Sequence, residues 1–282
     1  MIYSTLQNGI KIPMLGFGTL HIPPNEAERC VCDALEAGYR LIDTASAYFN
    51  EREIGEAIRK SNINREELFI TSKVWIQDAG YKNTLKAFQT SLDKLRLDTL
   101  DLYLIHHPFG DYYGAWRAME ELYHQGKVRA IGVCNFSIDR FIDLYMNARI
   151  KPMINQIEVH PFFQQVSSLP IFMEYQSQIQ SWGPLNEGQC DIFNHPYLQK
   201  IALKHKKTVA QIILRWHIQN NLIAIPKTTH KDRMIENMDI WDFELDENDF
   251  KVIQSLDIGH SEIIDHQCYR TAKRLNSFRI HE

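Results

Sequence analysis

The chain has 282 residues, of which 44% are hydrophobic, 23% charged and 11% aromatic, enough for a buried core without disulfides or metal. A formal net charge of −4 provides no basic field for nucleic acid or an anionic membrane, and no segment approaches 18 consecutive apolar residues. The five cysteines (Cys30, Cys32, Cys134, Cys190 and Cys268) show no C-x-x-C or zinc spacing, and the N-terminus has no cleavable apolar run. We therefore expect a cytoplasmic chain of reduced thiols, with no metal and no membrane or nucleic-acid partner.

In chain order, the pair Asn8-Gly9 comes first, between the strand-like arms YSTLQ and IKIPM, and predicts a β-hairpin. Eight short apolar runs follow: LGFGT (15–19), RLIDTA (40–45), LFITSKV (68–74), LDLYLIHH (100–107), VRAIGVCNF (128–136), MINQIEV (153–159), IQSWGPL (179–185) and NLIAIPKT (221–228). They are nearly continuous rather than alternating, as parallel strands covered on both faces should be. Helical periodicity fills the gaps at 26–37, 81–95, 114–125, 138–147 and 196–206; Leu85, Phe88, Leu92 and Leu95 form one apolar face in the second of these. No linker or composition break divides the chain. Eight β-then-α units in 1–282 predict one (β/α)8 barrel with the hairpin closing its bottom. An open doubly wound sheet is the runner-up, but Gly16-Phe17-Gly18 lacks the third glycine of a dinucleotide fingerprint.

Chemistry in such a barrel sits at the C-terminal strand ends. The polar residues there are Asp43 with Tyr48 just beyond, Lys73, His106, Asn135, Gln156, Trp182 and Lys227. Each alone has an ordinary structural explanation. Together, a carboxylate and an ammonium in one cavity must pair, and a phenol beside them completes an acid–base device. A neighbouring Lys73 cation should lower the Tyr48 pKa from about 10, so that Tyr48 can protonate a carbonyl oxygen while His106 orients it. No side chain supplies a hydride, so the device requires a nicotinamide cofactor.

These residues and spacings resemble the aldo-keto reductase family along essentially the whole chain. The resemblance rests on GYRLIDTASAYFNEREIG (38–55), RAIGVCNF (129–136) and IPKTTHKDRMIEN (225–237). It implies a catalytic tetrad of Asp43, Tyr48, Lys73 and His106, and NADPH lying across the barrel mouth. Thr19, Asn135, Gln156, Trp182, Gly183, Leu185, Lys227, Thr228, Arg233 and Asn237 would contact the cofactor. By resemblance, Asn135 and Gln156 hold the nicotinamide carboxamide, Trp182 stacks on its ring and Asn237 reaches the adenine. WGPL (182–185) and HHPFGDYYGAWRAMEEL (106–122) look like the bacterial 2,5-diketo-D-gluconate reductase-like branch.

Read physically, Thr229 to Asp232 has capping-box spacing, so a helix should begin there, its free N–H groups joining Lys227, Thr228 and Arg233 in an anion site. Two cations suit the 2′-phosphate of NADPH. Departures from the family pattern are Cys134 for a serine, His107 for a large aromatic, and Leu20 for an aromatic. Leu20, Phe49, Trp75 and His107 are the expected substrate wall.

The expected activity is NADPH-dependent reduction of aldehydes, ketones or dicarbonyls, sugar-derived keto acids among the candidates, by a monomer. A non-catalytic NADPH-binding regulatory protein on the same barrel is the alternative. A metal-dependent hydrolase has only the 12 histidines behind it, with no H-x-H or H-E-x-x-H motif.

Overall fold

The computed structural model describes residues 2–282, and its first element is the expected hairpin. Strands β1 (Tyr3–Thr5) and β2 (Lys11–Pro13) pair antiparallel, with Ser4 opposite Ile12. In the turn only Gly9 takes a positive φ, +83°, while the Asn8 side chain accepts from the Ile10 N–H at 3.3 Å and donates to the Arg129 carbonyl at 3.0 Å. Gln7 donates to the Pro152 carbonyl and Ser4 to Gln178, so the hairpin is tied to three barrel strands at their N-terminal ends. Leu6 and Ile12, both buried, plug the bottom.

Eight parallel strands make the barrel: β3 (Phe17–Gly18), β4 (Leu41–Asp43), β5 (Phe69–Val74), β6 (Leu100–Ile105), β7 (Val128–Cys134), β8 (Ile154–Glu158), β9 (Gln178–Trp182) and β10 (Ile223–Ala224). Each pairs with its neighbour in sequence. The ring closes between first and last through a parallel bridge, Leu15 to Ala224, and the bonds Gly16 N–H to Ala224 O (2.9 Å) and Gly18 N–H to Pro226 O (3.0 Å). Gly18 permits this approach, because a Cβ there would lie 2.8 Å from the Ile225 carbonyl oxygen. The eighth run is far shorter as a strand than its apolar stretch, since Pro226 has no N–H with which to continue the ladder.

The helices are α1 (Pro24–Glu36), α2 (Glu51–Lys60), α3 (Tyr81–Leu95), α4 (Tyr112–His124), α5 (Ile138–Asn147), α6 (Leu169–Glu174), α7 (Pro196–His205), α8 (Val209–Gln219), α9 (Lys231–Met238), α10 (Glu247–Gln254) and α11 (Tyr269–Ser277). Helix α3 has the predicted bounds. It buries Phe88, Leu92 and Leu95 and ends on Arg96 in the left-handed region. Helix α4 begins earlier than its apolar periodicity, because Asp111 caps it by accepting from the Gly114 N–H at 2.8 Å.

The capping box expected at Thr229–Asp232 is absent. Helix α9 starts one residue later, behind His230, with no side-chain cap, because the Thr228 hydroxyl takes the His230 N–H instead. A complete box does exist at Thr208 and Gln211, at the head of α8. Among the described residues no helix is long and apolar enough to cross a membrane.

Candidate active site

Four strand ends deliver charge or hydrogen-bonding groups to one point. Lys73, with no exposed surface, forms an ion pair with Asp43 and donates to the Thr44 carbonyl at 3.0 Å. Its third donor reaches the Tyr48 hydroxyl at 3.4 Å. Asp43 accepts in turn from Gln156 Nε2 at 2.8 Å, and the same amide nitrogen donates to Gln180 at 2.9 Å. The Cys134 thiol donates to Gln156 Oε1 at 3.6 Å. Ammonium, carboxylate and amide are buried and form one continuous network with the half-buried phenol.

Tyr48 lies on a turn rather than a strand, so something else must fix it. Asn50, fully buried, accepts from the Thr44 hydroxyl at 2.9 Å and donates to the Thr19 and Ile22 carbonyls at 3.0 and 3.1 Å. Ser46 donates to the Lys73 carbonyl at 2.9 Å. The turn is thus bonded to both neighbouring strands. Asn50 was not among the predicted site residues, and its only sequence signal is its place two residues after the tyrosine.

Burial changes the electrostatics expected from sequence. The Tyr48 pKa is pushed up to about 12, not down: desolvation of the phenolate outweighs the opposing attraction of Lys73. Burial also raises the Asp43 carboxyl, with Lys73 and Gln156 pulling against it. Lys73 remains an ammonium because Asp43 more than offsets its own desolvation. His106 is driven well below the usual imidazole range by burial, then by His107 and Lys73. At neutral pH the cluster is an Asp–Lys ion pair flanked by a neutral phenol and a neutral imidazole.

The walls divide by depth. Trp75 and His107 are buried, whereas Leu20 and Phe49 stand on the rim, Phe49 about half exposed. The Trp75 ring meets His106 edge-on at 5.1 Å and His107 at 5.3 Å, and its indole N–H donates to the Phe278 carbonyl at 2.9 Å. The C-terminal tail thus crosses the mouth. Beyond Phe278, Ile280 N–H donates to Gln77, and His281 pairs with Asp78 at 2.8 Å. His266 comes down beside His107, 5.3 Å between ring centres. Neither Phe278 nor His266 is among the residues expected from sequence, because the short segments that carry them have no periodicity to orient their side chains.

The remaining predicted residues follow the strand ends from β7 round to α9. Asn135, at φ +60°, accepts from the Trp182 indole N–H at 2.8 Å and donates to the His106 carbonyl at 3.1 Å. Trp182 is half-buried at the end of β9, followed by Gly183 at φ +58° and the partly buried Leu185. Asn186 next to it is wholly buried with its side-chain oxygen unpartnered, as is the Ser181 hydroxyl. The Thr19 hydroxyl is committed to the Asp43 carbonyl. Thr228 and Asn237 are buried, Lys227 and Arg233 exposed. Lys231 is neutralised by Asp33 and Glu36, but neither Lys227 nor Arg233 has an ion-pair partner among the described residues. Two unpaired cations beside an uncapped helix start, and unpartnered polar atoms further along, fit an elongated polar cofactor with a phosphate at one end.

The Aldo/keto reductase family model matches residues 14–258. The chain belongs to the aldo/keto reductase family. Glyoxal reductase of Bacillus subtilis (strain 168) is 47% identical over 253 residues, covering 89% of this chain and 91% of that protein. Among solved structures, MGS-M4, an aldo-keto reductase enzyme from a Medee basin deep-sea metagenome library, superposes with a TM-score of 0.92 at 42% identity, covering 94% and 98% of the two chains. The Bombyx mori aldo-keto reductase in complex with NADP superposes with a TM-score of 0.89 at 34% identity, covering 94% and 95%. With these relatives, the chain is an NADPH-dependent oxidoreductase of carbonyl compounds.

Proposed function

We propose that this aldo-keto reductase reduces small aldehydes and α-dicarbonyls of the glyoxal type, with the proton supplied by Tyr48. It is an NADPH-dependent oxidoreductase, and NADPH, when bound, supplies the hydride. The observation that carries the assignment of roles is Lys73, buried without exposure between Asp43 and the Tyr48 hydroxyl. As the carbonyl oxygen gains charge, Tyr48 gives up its proton, and the Lys73 ammonium stabilises the phenolate left behind. Asp43 keeps Lys73 charged and in place. His106 orients the carbonyl oxygen through its Nε2. Asn135 and Gln156 sit where a carboxamide would be held; Gln156 Oε1 keeps capacity for a second donor beside Cys134. Trp182 provides a flat face beside them, and Lys227 with Arg233 would hold the 2′-phosphate.

The experiment is NADPH consumption across glyoxal, methylglyoxal, simple aldehydes and keto-sugars, with NADH in parallel. Strong turnover of the dicarbonyls supports the reading; turnover confined to keto-sugars would replace it. In Arg233→Ala and Lys227→Ala the ratio of NADPH to NADH kcat/KM should fall about tenfold, the loss of one charge-assisted phosphate contact. An unchanged ratio would remove those residues from the phosphate site.

The pH dependence follows from burial. Burial drives the His106 imidazole well below its ordinary range and pushes His107 and His266 down to about 3 and about 4, while Tyr48 is pushed up to about 12. All four groups therefore keep one protonation state from weakly acid to neutral solution. Reductive kcat/KM at pH 5.5 should match that at 7.5, and a histidine-like inflection between them would contradict these environments. A single barrel acting as a monomer completes this reading, supported by one continuous apolar core.

A further inference from the structure

His107, like His106, is a buried imidazole at the mouth, and its hydrogen bonds fix where its proton lies. The Trp182 indole nitrogen can only donate, so the Asn135 atom that receives it must be the oxygen. The other end of that amide is then NH2, which donates to the His106 carbonyl and approaches His107 Nδ1 at 3.4 Å. A nitrogen facing an amide donor serves as acceptor, so the His107 proton resides on Nε2. Among the described residues Nε2 has no protein partner, and it is not one of the sealed, unpartnered polar atoms, so this donor opens onto the mouth. His106 Nδ1 is sealed with no acceptor, which favours the proton on Nε2, the nitrogen that is not sealed.

The two imidazoles lie nearly parallel, 6° between planes and 4.9 Å between centres. Trp75 abuts both, and His266 covers His107 from the tail side. The mouth thus holds two neutral N–H donors side by side among aromatic rings. Reduction of one carbonyl uses one of them.

We propose that His107 Nε2–H binds the second oxygen of an α-dicarbonyl, while His106 serves the oxygen being reduced. The inference rests on the reductase reading above and assigns its substrate class to one side chain. The two carbonyl carbons of an α-dicarbonyl are joined by one C–C bond, so in the syn conformer their oxygens lie side by side, which suits donors on neighbouring stacked rings. A monocarbonyl of the same length seated in the mouth offers the His107 N–H no acceptor, and that deficit discriminates against it.

The test compares methylglyoxal with propanal, which has the same three carbons and lacks the second oxygen. Wild-type enzyme should favour methylglyoxal in kcat/KM by at least about tenfold, one hydrogen bond's worth. In His107→Phe, which keeps a flat ring without a donor, the methylglyoxal-to-propanal ratio should fall by about tenfold. Because both substrates use the same cofactor complex, any disturbance of Asn135 cancels in the ratio. His107→Gln, which restores an N–H, should recover most of the preference. The proposal is overturned by an unchanged ratio in His107→Phe, or by an equal fall in His107→Gln. If wild type reduces propanal and ignores methylglyoxal, the dicarbonyl reading itself fails, and this assignment fails with it. The wild-type comparison needs no variant to fold.

Discussion

In Tyr48→Phe, kcat for carbonyl reduction is expected to fall about 1,000-fold while NADPH affinity stays within about twofold of wild type. The substitution removes one oxygen and little else. The ring can keep its place 4.9 Å from Lys73 Nζ and edge-on to His106 at 5.5 Å. Lys73 still has Asp43 and the Thr44 carbonyl as acceptors, so no buried charge is orphaned. The thermal midpoint should therefore barely move. Single-turnover hydride transfer and NADPH binding by fluorescence separate the two effects. Turnover above a tenth of wild type would mean that the proton comes from elsewhere, and His106 would be the next group to test.

Lys73→Met should do damage of a second kind. Asp43, 2% exposed, would retain Gln156 and lose its counter-ion, and an uncompensated buried charge costs about 3–5 kcal/mol. The cheaper outcome is protonation of Asp43, whose folded-state pKa, already raised by burial, would rise further without Lys73. The native state would bind the extra proton, so the variant's stability should decline as pH rises and recover as pH falls. Chemical denaturation at pH 5 and pH 8 reads this directly: the deficit against wild type should be smaller at pH 5. Adding Asp43→Asn removes the charge and should restore more than half of the lost stability. Turnover should stay abolished in the double variant, because nothing then stabilises the phenolate. Equal deficits at both pH values, or no recovery in the double variant, would show that the loss comes from packing rather than charge.

The barrel and its polar strand ends were legible in the sequence because each depends on local pattern. Continuous runs of Ile, Leu and Val announce strands buried on both faces, and Asp43, Lys73, His106 and Gln156 stand at the ends of such runs. Quantities set by competition were not legible. Lys73 does act on Tyr48 in the expected direction, but the winner is decided by how completely the phenol is desolvated, and that depends on distant chain. The start of α9 turned on whether the Thr228 or the Thr229 hydroxyl captures a backbone N–H, a choice that spacing alone leaves open. Asn135 and Trp182 were each placed at the site; that one donates to the other emerges only from three-dimensional structure. The tail residues His266 and Phe278 reach the mouth from the short segments on either side of α11, which have no repeating pattern to orient them.

The ring-closing contact between Leu15 and Ala224 has a bearing on how the chain folds. Seven of the eight strand pairings join consecutive units and can form by stepwise addition, each new strand docking on the last. The eighth brings together residues more than two hundred positions apart and has only a few backbone bonds. Until residues 223–226 are in place, the partly assembled sheet has two open edges, at β3 and at its newest strand, and both can pair with foreign strands. Closure removes both edges in one step. Gly18 is the side-chain-free point through which that step passes, so its tolerance to substitution should be decided by refolding yield before catalysis can be measured.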